Sequence, residues 1–214
     1  MKKNYLAAVL LGGFCTLSYL FNAFCFLLAA MAAVSLLVFL ITSTVRYFRK
    51  DVSRNWVKIP LMLVAVCVVA IPVNFIRPYA PALSRSANVS KVLQHAYTTD
   101  QGDRKTLKTY LPGFRQQVRE RDSLRIAQVK HLYRNHRITK PMDKFHAAFV
   151  LHHSRESELY EIAHTLASEA AAAGGLENAL QVQWLKKATY DRWMISIGKP
   201  QKYATQNGIT VTSQ

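Results

Sequence analysis

Two long, charge-free apolar runs constrain this chain more than any other feature. The first extends from Leu6 to Val45 and the second from Ile59 to Ile76. Eighteen or more consecutive uncharged, mostly apolar residues are typical of a helix that crosses a bilayer. At about 1.5 Å per residue, the first run would reach roughly 60 Å, which is twice the hydrocarbon thickness of a bilayer. We therefore expect two helices in it, with a reversal at residues 18–22, and three membrane spans in all.

The composition changes where the second run ends. Residues 1–76 carry seven Lys/Arg and one Asp, whereas residues 77–214 carry 21 Lys/Arg and 11 Asp/Glu, a net charge of +10. The remaining length is enough for one domain with its own core. The sequence therefore predicts a membrane anchor over 1–76, a soluble domain over 77–206 and a loose tail over 207–214.

The distribution of basic residues predicts an orientation. Segment 46–58 joins the second and third expected spans and holds five basic residues and one acidic residue, while Lys2 and Lys3 make the amino terminus basic. By the positive-inside rule both lie in the cytoplasm, provided that the first helix is not cleaved as a signal peptide. The prediction is a multi-pass protein of a bacterial inner membrane with a periplasmic or extracellular carboxyl-terminal domain. The alternative has two spans, part of the first run in the interface, and the domain inside.

The soluble half has a helical pattern throughout and no convincing strand alternation. A polar turn is expected at 98–103, and Gly174-Gly175 and Gly198-Lys199-Pro200 are expected to end helices. The fold class is thus all-α: three transmembrane helices followed by a small helical extracytoplasmic domain. Its expected helices cover residues 88–97, 115–133, 142–173 and 176–197.

No catalytic or cofactor motif stands out in the soluble half. All three cysteines lie in the apolar runs, and neither His-x-x-x-His nor a Gly-rich phosphate loop occurs. Six of the seven histidines lie between His131 and His164. Half-buried structural histidines explain this better than a metal held by His153 and Glu156. The sequence predicts no metal and no cofactor.

Three separated elements resemble a bacterial domain family of unknown function over about residues 95–206. They are Asp100-Gln101 with Arg104, the helix end at His152-His153-Ser154, and Asp191-Arg192 followed by Gly198-Lys199-Pro200-Gln201-Lys202-Tyr203-Ala204-Thr205-Gln206. Ala204 stands where the family has Gly. The resemblance implies an α-helical fold and no particular reaction. It also implies a shared polar cluster of Asp100, Gln101, Arg104, His153, Asp191, Arg192, Gln201, Tyr203 and Gln206.

Three functions follow as hypotheses, and whether the protein is an enzyme stays open. The favoured one is a membrane-anchored binding or immunity-type protein that recognises an anionic envelope ligand or a protein partner. Nucleic acid is not favoured, because the basic residues are scattered. The second is a hydrolase or transferase with His153 as general base, oriented by Asp100 or Asp191, and with Arg104 or Arg192 holding an anion. The third is a structural subunit of a membrane complex, packed through small residues such as Gly12 and Gly13. The binding candidates are Gln101, Arg104, Arg192, Gln201, Tyr203 and Gln206.

Overall fold

Every regular element that the structure describes is helical. The structure is a computed structural model, and it describes residues 2–206. The expectation of an all-α fold is confirmed, because this range contains eight α-helices, one short 3-10 helix and no strand. The predicted loose tail, 207–214, lies outside the described residues. The helices are α1 (Lys2–Leu20), α2 (Phe24–Phe48), α3 (Asn55–Ile76), α4 (Val89–Arg104), α5 (Pro112–Arg134), α6 (Pro141–Leu151), α7 (Ser157–Ala171) and α8 (Leu180–Ser196), and the 3-10 helix covers Leu107–Tyr110.

The chain forms two compact units. The first consists of Met1–Tyr79 with Gly102–Arg115, and the second of Ala80–Gln101 with Gln116–Gln214. The first unit therefore extends three residues beyond the predicted end of the anchor at 76. It also includes a later segment that the sequence analysis assigned to the soluble domain.

Helix α3 organises the first unit, because it packs against both α1 and α2. Its buried residues Cys67 and Ala70 form a small core with Leu28 of α2. Helices α2 and α3 are long and apolar enough to cross a membrane, and only 17 % and 28 % of their apolar windows are buried. The core helix of a soluble protein would be mostly buried, and these two helices are not.

Helix α1 does not confirm the third span. It ends at Leu20 and α2 begins at Phe24, so the chain breaks close to the predicted reversal at 18–22. The apolar part described in α1 is Ala8–Leu20, which is shorter than a full crossing. Two helices thus qualify as membrane spans by length and composition, and the prediction of three spans stays a prediction.

A polar network holds the later segment within the first unit. The Asn74 side chain donates to the Ser18 carbonyl at 2.8 Å, and its Oδ1 accepts from the Thr106 hydroxyl, also at 2.8 Å. The backbone N–H of Leu107 points to Cys25 Sγ at 3.3 Å. Both Asn74 and Thr106 are buried, and a buried polar group without a hydrogen bond would destabilise the fold. Their mutual hydrogen bond avoids that cost.

The second unit has a single apolar core, built mainly from α6, α7 and α8 with faces of α4 and α5. Helix α7 packs against both α6 and α8. Small residues at helical spacing on α7 let these helices approach closely. The largest fully buried side chains of this core are Leu93, Val129, Val150, Leu151, Leu159 and Leu185.

Two expected elements are wrong. The helix expected over 142–173 is two helices, because the chain leaves the helix after Leu151 and resumes it at Ser157. Tight backbone bonds at His153 and Ser154 close the turn, and the Tyr160 hydroxyl caps the Ser154 carbonyl. The polar turn expected at 98–103 is the last part of α4, which continues to Arg104.

Candidate functional site

A cleft in the second unit lies between α5 and the connection from α6 to α7. It encloses about 490 Å³, within the range of small-molecule sites. Helix α5 contributes residues at helical spacing on one face. The cleft is lined by Arg119, Asp122, Ser123, Ile126, Ala127 and Lys130 from α5 and by His153, Ser154, Arg155 and Glu156 from the connection.

His153 and Asp100 meet next to this cleft. His153 Nε2 lies 3.5 Å from Asp100 Oδ2, and the His153 side chain is 21 % exposed while Asp100 is fully buried. The amide of Gln101 donates to the same Asp100 oxygen at 2.8 Å. Asp100 can therefore orient the imidazole. Of the three catalytic candidates, the structure brings these two together.

Arg125 anchors the carboxylates behind His153. Its guanidinium lies 2.8 Å from Asp122 Oδ1 and 3.9 Å from Asp100 Oδ1, and its Nε donates to the Thr99 hydroxyl at 3.1 Å. Arg125 is completely buried. A buried guanidinium needs such partners, so this arrangement fixes α4 against α5.

Arg125 was missed by sequence reasoning, although a signal existed. Arginine at 125 lies on the face of α5 that also carries Val118, Val129 and Leu132, all buried. A charge in an apolar stripe indicates a buried acidic partner. The position of that partner on α4 could not be predicted, because residues 98–103 were expected to form a turn.

The rim of the cleft is basic. Lys130 pairs with Glu156 at 3.1 Å, and both side chains are partly exposed. The Arg119 guanidinium binds the neutral side chain of Gln116. Arg155 is exposed, and within residues 2–206 neither Arg119 nor Arg155 pairs with a carboxylate. Two guanidinium groups are therefore available to an anion.

Asp191, the third catalytic candidate, holds the carboxyl-terminal segment. Its fully buried carboxylate accepts the backbone N–H groups of Lys202, Tyr203 and Thr205, and the Thr205 hydroxyl donates to it at 2.7 Å. Burial alone would raise the pKa of Asp191, but these hydrogen bonds outweigh burial and lower it. A carboxylate with its oxygens so occupied is a structural group.

The remaining carboxyl-terminal candidates extend this arrangement. Arg192 donates to the His152 carbonyl at 2.7 Å and to Gln206 Oε1 at 3.2 Å. The side chain of Gln201 accepts the backbone N–H of Gln206 at 3.1 Å. Tyr203 is 39 % exposed, and its ring contacts Tyr190. Arg192 thus links the segment to the residue before His153, and so supports the cleft indirectly.

The predicted nine-residue cluster divides into parts. Asp100, Gln101 and His153 form one group, and the five residues from Asp191 to Gln206 form another. Arg104 is the last residue of α4 and belongs to the first unit. Within the described residues, no three His, Cys, Asp or Glu side chains converge as metal ligands would.

No protein-family model, curated protein or solved structure matches this chain.

Proposed function

We propose that this is a membrane-anchored binding protein of a bacterial inner membrane. Its helical second unit binds an anionic envelope component in the cleft beside His153, on the outer side of the membrane. The single observation that supports this most strongly is the pair of guanidinium groups, Arg119 and Arg155, that line one cleft without carboxylate partners. An immunity-type role, with the acidic face of another protein as ligand, is the other form of the same proposal.

The chemistry of the cleft suits phosphate or carboxylate groups. Guanidinium forms charge-assisted, bidentate hydrogen bonds to such groups. Lys130 adds a third cation, because its exposed pair with Glu156 contributes little and can exchange for a ligand. His153 also lines the cleft, beside the buried carboxylate of Asp100.

The test is calorimetric titration of the full-length protein, in mild detergent, with inorganic phosphate and with a short poly(glycerol phosphate) chain. Arg155→Gln and Arg119→Gln are each expected to weaken binding about tenfold or more, since a hydrogen bond to a charged group contributes about 1.5–3 kcal/mol. The control is Lys91→Gln, an exposed cation of α4 outside the cleft. Saturable binding that all three variants retain equally would refute the proposal.

Hydrolysis or group transfer is a second candidate function, favoured by the 3.5 Å contact of His153 with Asp100. The two serine hydroxyls of the cleft, Ser123 and Ser154, donate to backbone carbonyls at 3.0 and 3.4 Å. Water is therefore the better nucleophile, with His153 as its general base. In this case His153→Gln would slow turnover about 10²–10⁴-fold. Recovery of the phosphate polymer unchanged after prolonged incubation would exclude this function.

A further inference from the structure

A second cavity lies within the first unit, between α2 and α3. It encloses about 350 Å³. Its walls are mainly the aliphatic side chains of Val34 and Val38 on α2 and of Ile59 and Leu63 on α3, and Ser35 of α2 also lines it. Such a mostly aliphatic lining suits a hydrocarbon chain.

One end of this cavity is polar. Asn55 and Trp56, the first two residues of α3, line it there. The Trp56 side chain is 66 % exposed, as an indole at the level of lipid headgroups would be. The cavity therefore runs from an interfacial mouth towards an apolar interior.

Four exposed cations lie in the connection between α2 and α3 or in the first turn of α3, close in sequence to Asn55 and Trp56, which line the cavity. Arg49, Lys50, Arg54 and Lys58 are exposed, and within residues 2–206 none of their side chains makes a hydrogen bond or an ion pair. Arg46 differs, because its guanidinium donates to the Val52 carbonyl. Segment 46–58, which includes these four cations, Arg46 and the exposed Asp51, therefore carries a net charge of +4.

Pro60 leaves the backbone carbonyl of Trp56, at the polar end of the cavity, without its usual hydrogen bond. It is buried in α3 and also lines the cavity. Proline has no N–H, so the Trp56 carbonyl, four residues earlier, lacks its usual helical donor. A ligand hydroxyl at the mouth can donate to this carbonyl.

We propose that this cavity binds one anionic phospholipid of the phosphatidylglycerol class. Part of one acyl chain occupies the space between α2 and α3, the phosphate lies among the four cations, and a glycerol hydroxyl reaches the Trp56 carbonyl. The site rests on the proposed function in one respect, namely that α2 and α3 span a membrane.

The test uses Trp56 as a local probe in vesicles. The chain has three tryptophans, so Trp184→Phe with Trp193→Phe leaves Trp56 alone. The full-length variant is reconstituted in phosphatidylcholine vesicles that contain an equal, low mole fraction of either brominated phosphatidylglycerol or brominated phosphatidylcholine. We expect phosphatidylglycerol to quench Trp56 more strongly. Arg54→Gln with Lys58→Gln should weaken the apparent lipid affinity about fivefold for each cation removed.

Matched controls separate a site from general lipid contact. Val38→Phe fills the cavity and should abolish the preference for phosphatidylglycerol. Val68→Phe adds the same bulk at an exposed position of α3 outside the cavity and should preserve it. Arg85→Gln with Lys91→Gln removes the same charge from the second unit and should also preserve it.

The contrary outcomes are distinguishable. Equal quenching by both lipids would overturn the lipid site but leave the membrane anchor intact, whereas no quenching by either would overturn both. Native mass spectrometry of the unmodified protein gives a second readout that does not depend on the tryptophan variants. Retained phosphatidylglycerol supports the site, and equal retention of phosphatidylcholine contradicts it.

Discussion

Ala204 has a left-handed backbone conformation, with φ of 54°. A residue with a Cβ atom in this conformation is strained by about 1–2 kcal/mol. Glycine has no Cβ and relieves part of that strain. We predict that Ala204→Gly raises the free energy of unfolding by about 0.5–1 kcal/mol, measured as a higher melting temperature of the full-length protein in detergent.

Gly198 is the matched control for this prediction. Its φ is 73°, so Gly198→Ala introduces the same strain that Ala204→Gly removes. It should lower the melting temperature by a comparable amount. If both substitutions shift the melting temperature in the same direction, backbone strain is not the cause.

Asp191 makes stability depend on pH in the acidic range. Its pKa in the folded state lies below the ordinary value of 3.8, so the unfolded state binds more protons as the pH falls. The stabilisation is fully present above that ordinary value and is lost as the pH falls through the folded pKa. Asp191→Asn should cost about 2–4 kcal/mol at neutral pH and flatten the acid-induced loss. Denaturant titrations at several pH values measure both effects.

His146 and His164 add a second pH dependence at higher pH. Burial lowers the pKa of both histidines below 6.5. At His146 the charge of Asp143 partly offsets the effect of burial. At His164 a hydrogen bond with the Lys186 backbone partly offsets the effect of burial, whereas the charge of Lys186 lowers the pKa further. Their stabilisation is therefore present above pH 6.5 and is lost as the pH falls through the folded values. Replacing both by Phe should remove the decline in stability that begins below about pH 6.5. The exposed His131, replaced by Gln, should leave that decline unchanged.

At the scale of elements, the segment Gly102–Arg115 depends on the bond between Asn74 and Thr106. Both groups are buried, so breaking the bond leaves an unsatisfied polar atom. We predict a coupling energy of about 1–2 kcal/mol between Asn74→Ala and Thr106→Val in a double-mutant cycle of unfolding. Thr16→Val is the control, because the Thr16 hydroxyl makes only a local, exposed bond to the Gly12 carbonyl. Additive effects of the first two substitutions would contradict this account.

Helix ends could be predicted where glycine or proline residues mark them in the sequence. The ends of α7 and α8, near Gly174-Gly175 and Gly198, lie within a few residues of their expected places. The break between α1 and α2 also lies close to its expected place, but it was the length of the apolar run that predicted it. The break after Leu151 could not be predicted, because no Gly or Pro marks it. It depends on Tyr160 and Arg192, which bind the carbonyls of the turn from elsewhere in the fold.

At the scale of the whole molecule, the proposed topology predicts where fused reporters work. With three spans, alkaline phosphatase fused after residue 206 should be active, and green fluorescent protein at the same place should be dark. The same fusions within segment 49–54 should give the opposite result. A fluorescent fusion after residue 206 would instead support two spans and a cytoplasmic domain.

The candidate site was partly accessible from the sequence. The resemblance selected Asp100 and His153, which the structure brings within 3.5 Å, but it also selected Asp191 and Gln206, which hold the chain end. Sequence patterns identify polar residues that make specific contacts. They do not show whether a given residue contacts a ligand or forms a structural hydrogen bond. The arginines of the cleft rim were missed, because exposed charges on a helix look alike until the opposite wall is known.

The most direct test follows the histidines of the full-length protein by NMR as inorganic phosphate is added. Carbon-13 labelling at Cε1 gives each ring a resonance, and His153→Gln assigns the one in the cleft. His95 is an internal reference, because it belongs to the same unit but binds the Pro81 carbonyl outside the cleft. We predict a saturable shift of the His153 resonance while that of His95 stays constant. Unchanged resonances, or equal unsaturated drift of both, would contradict an anion site in this cleft.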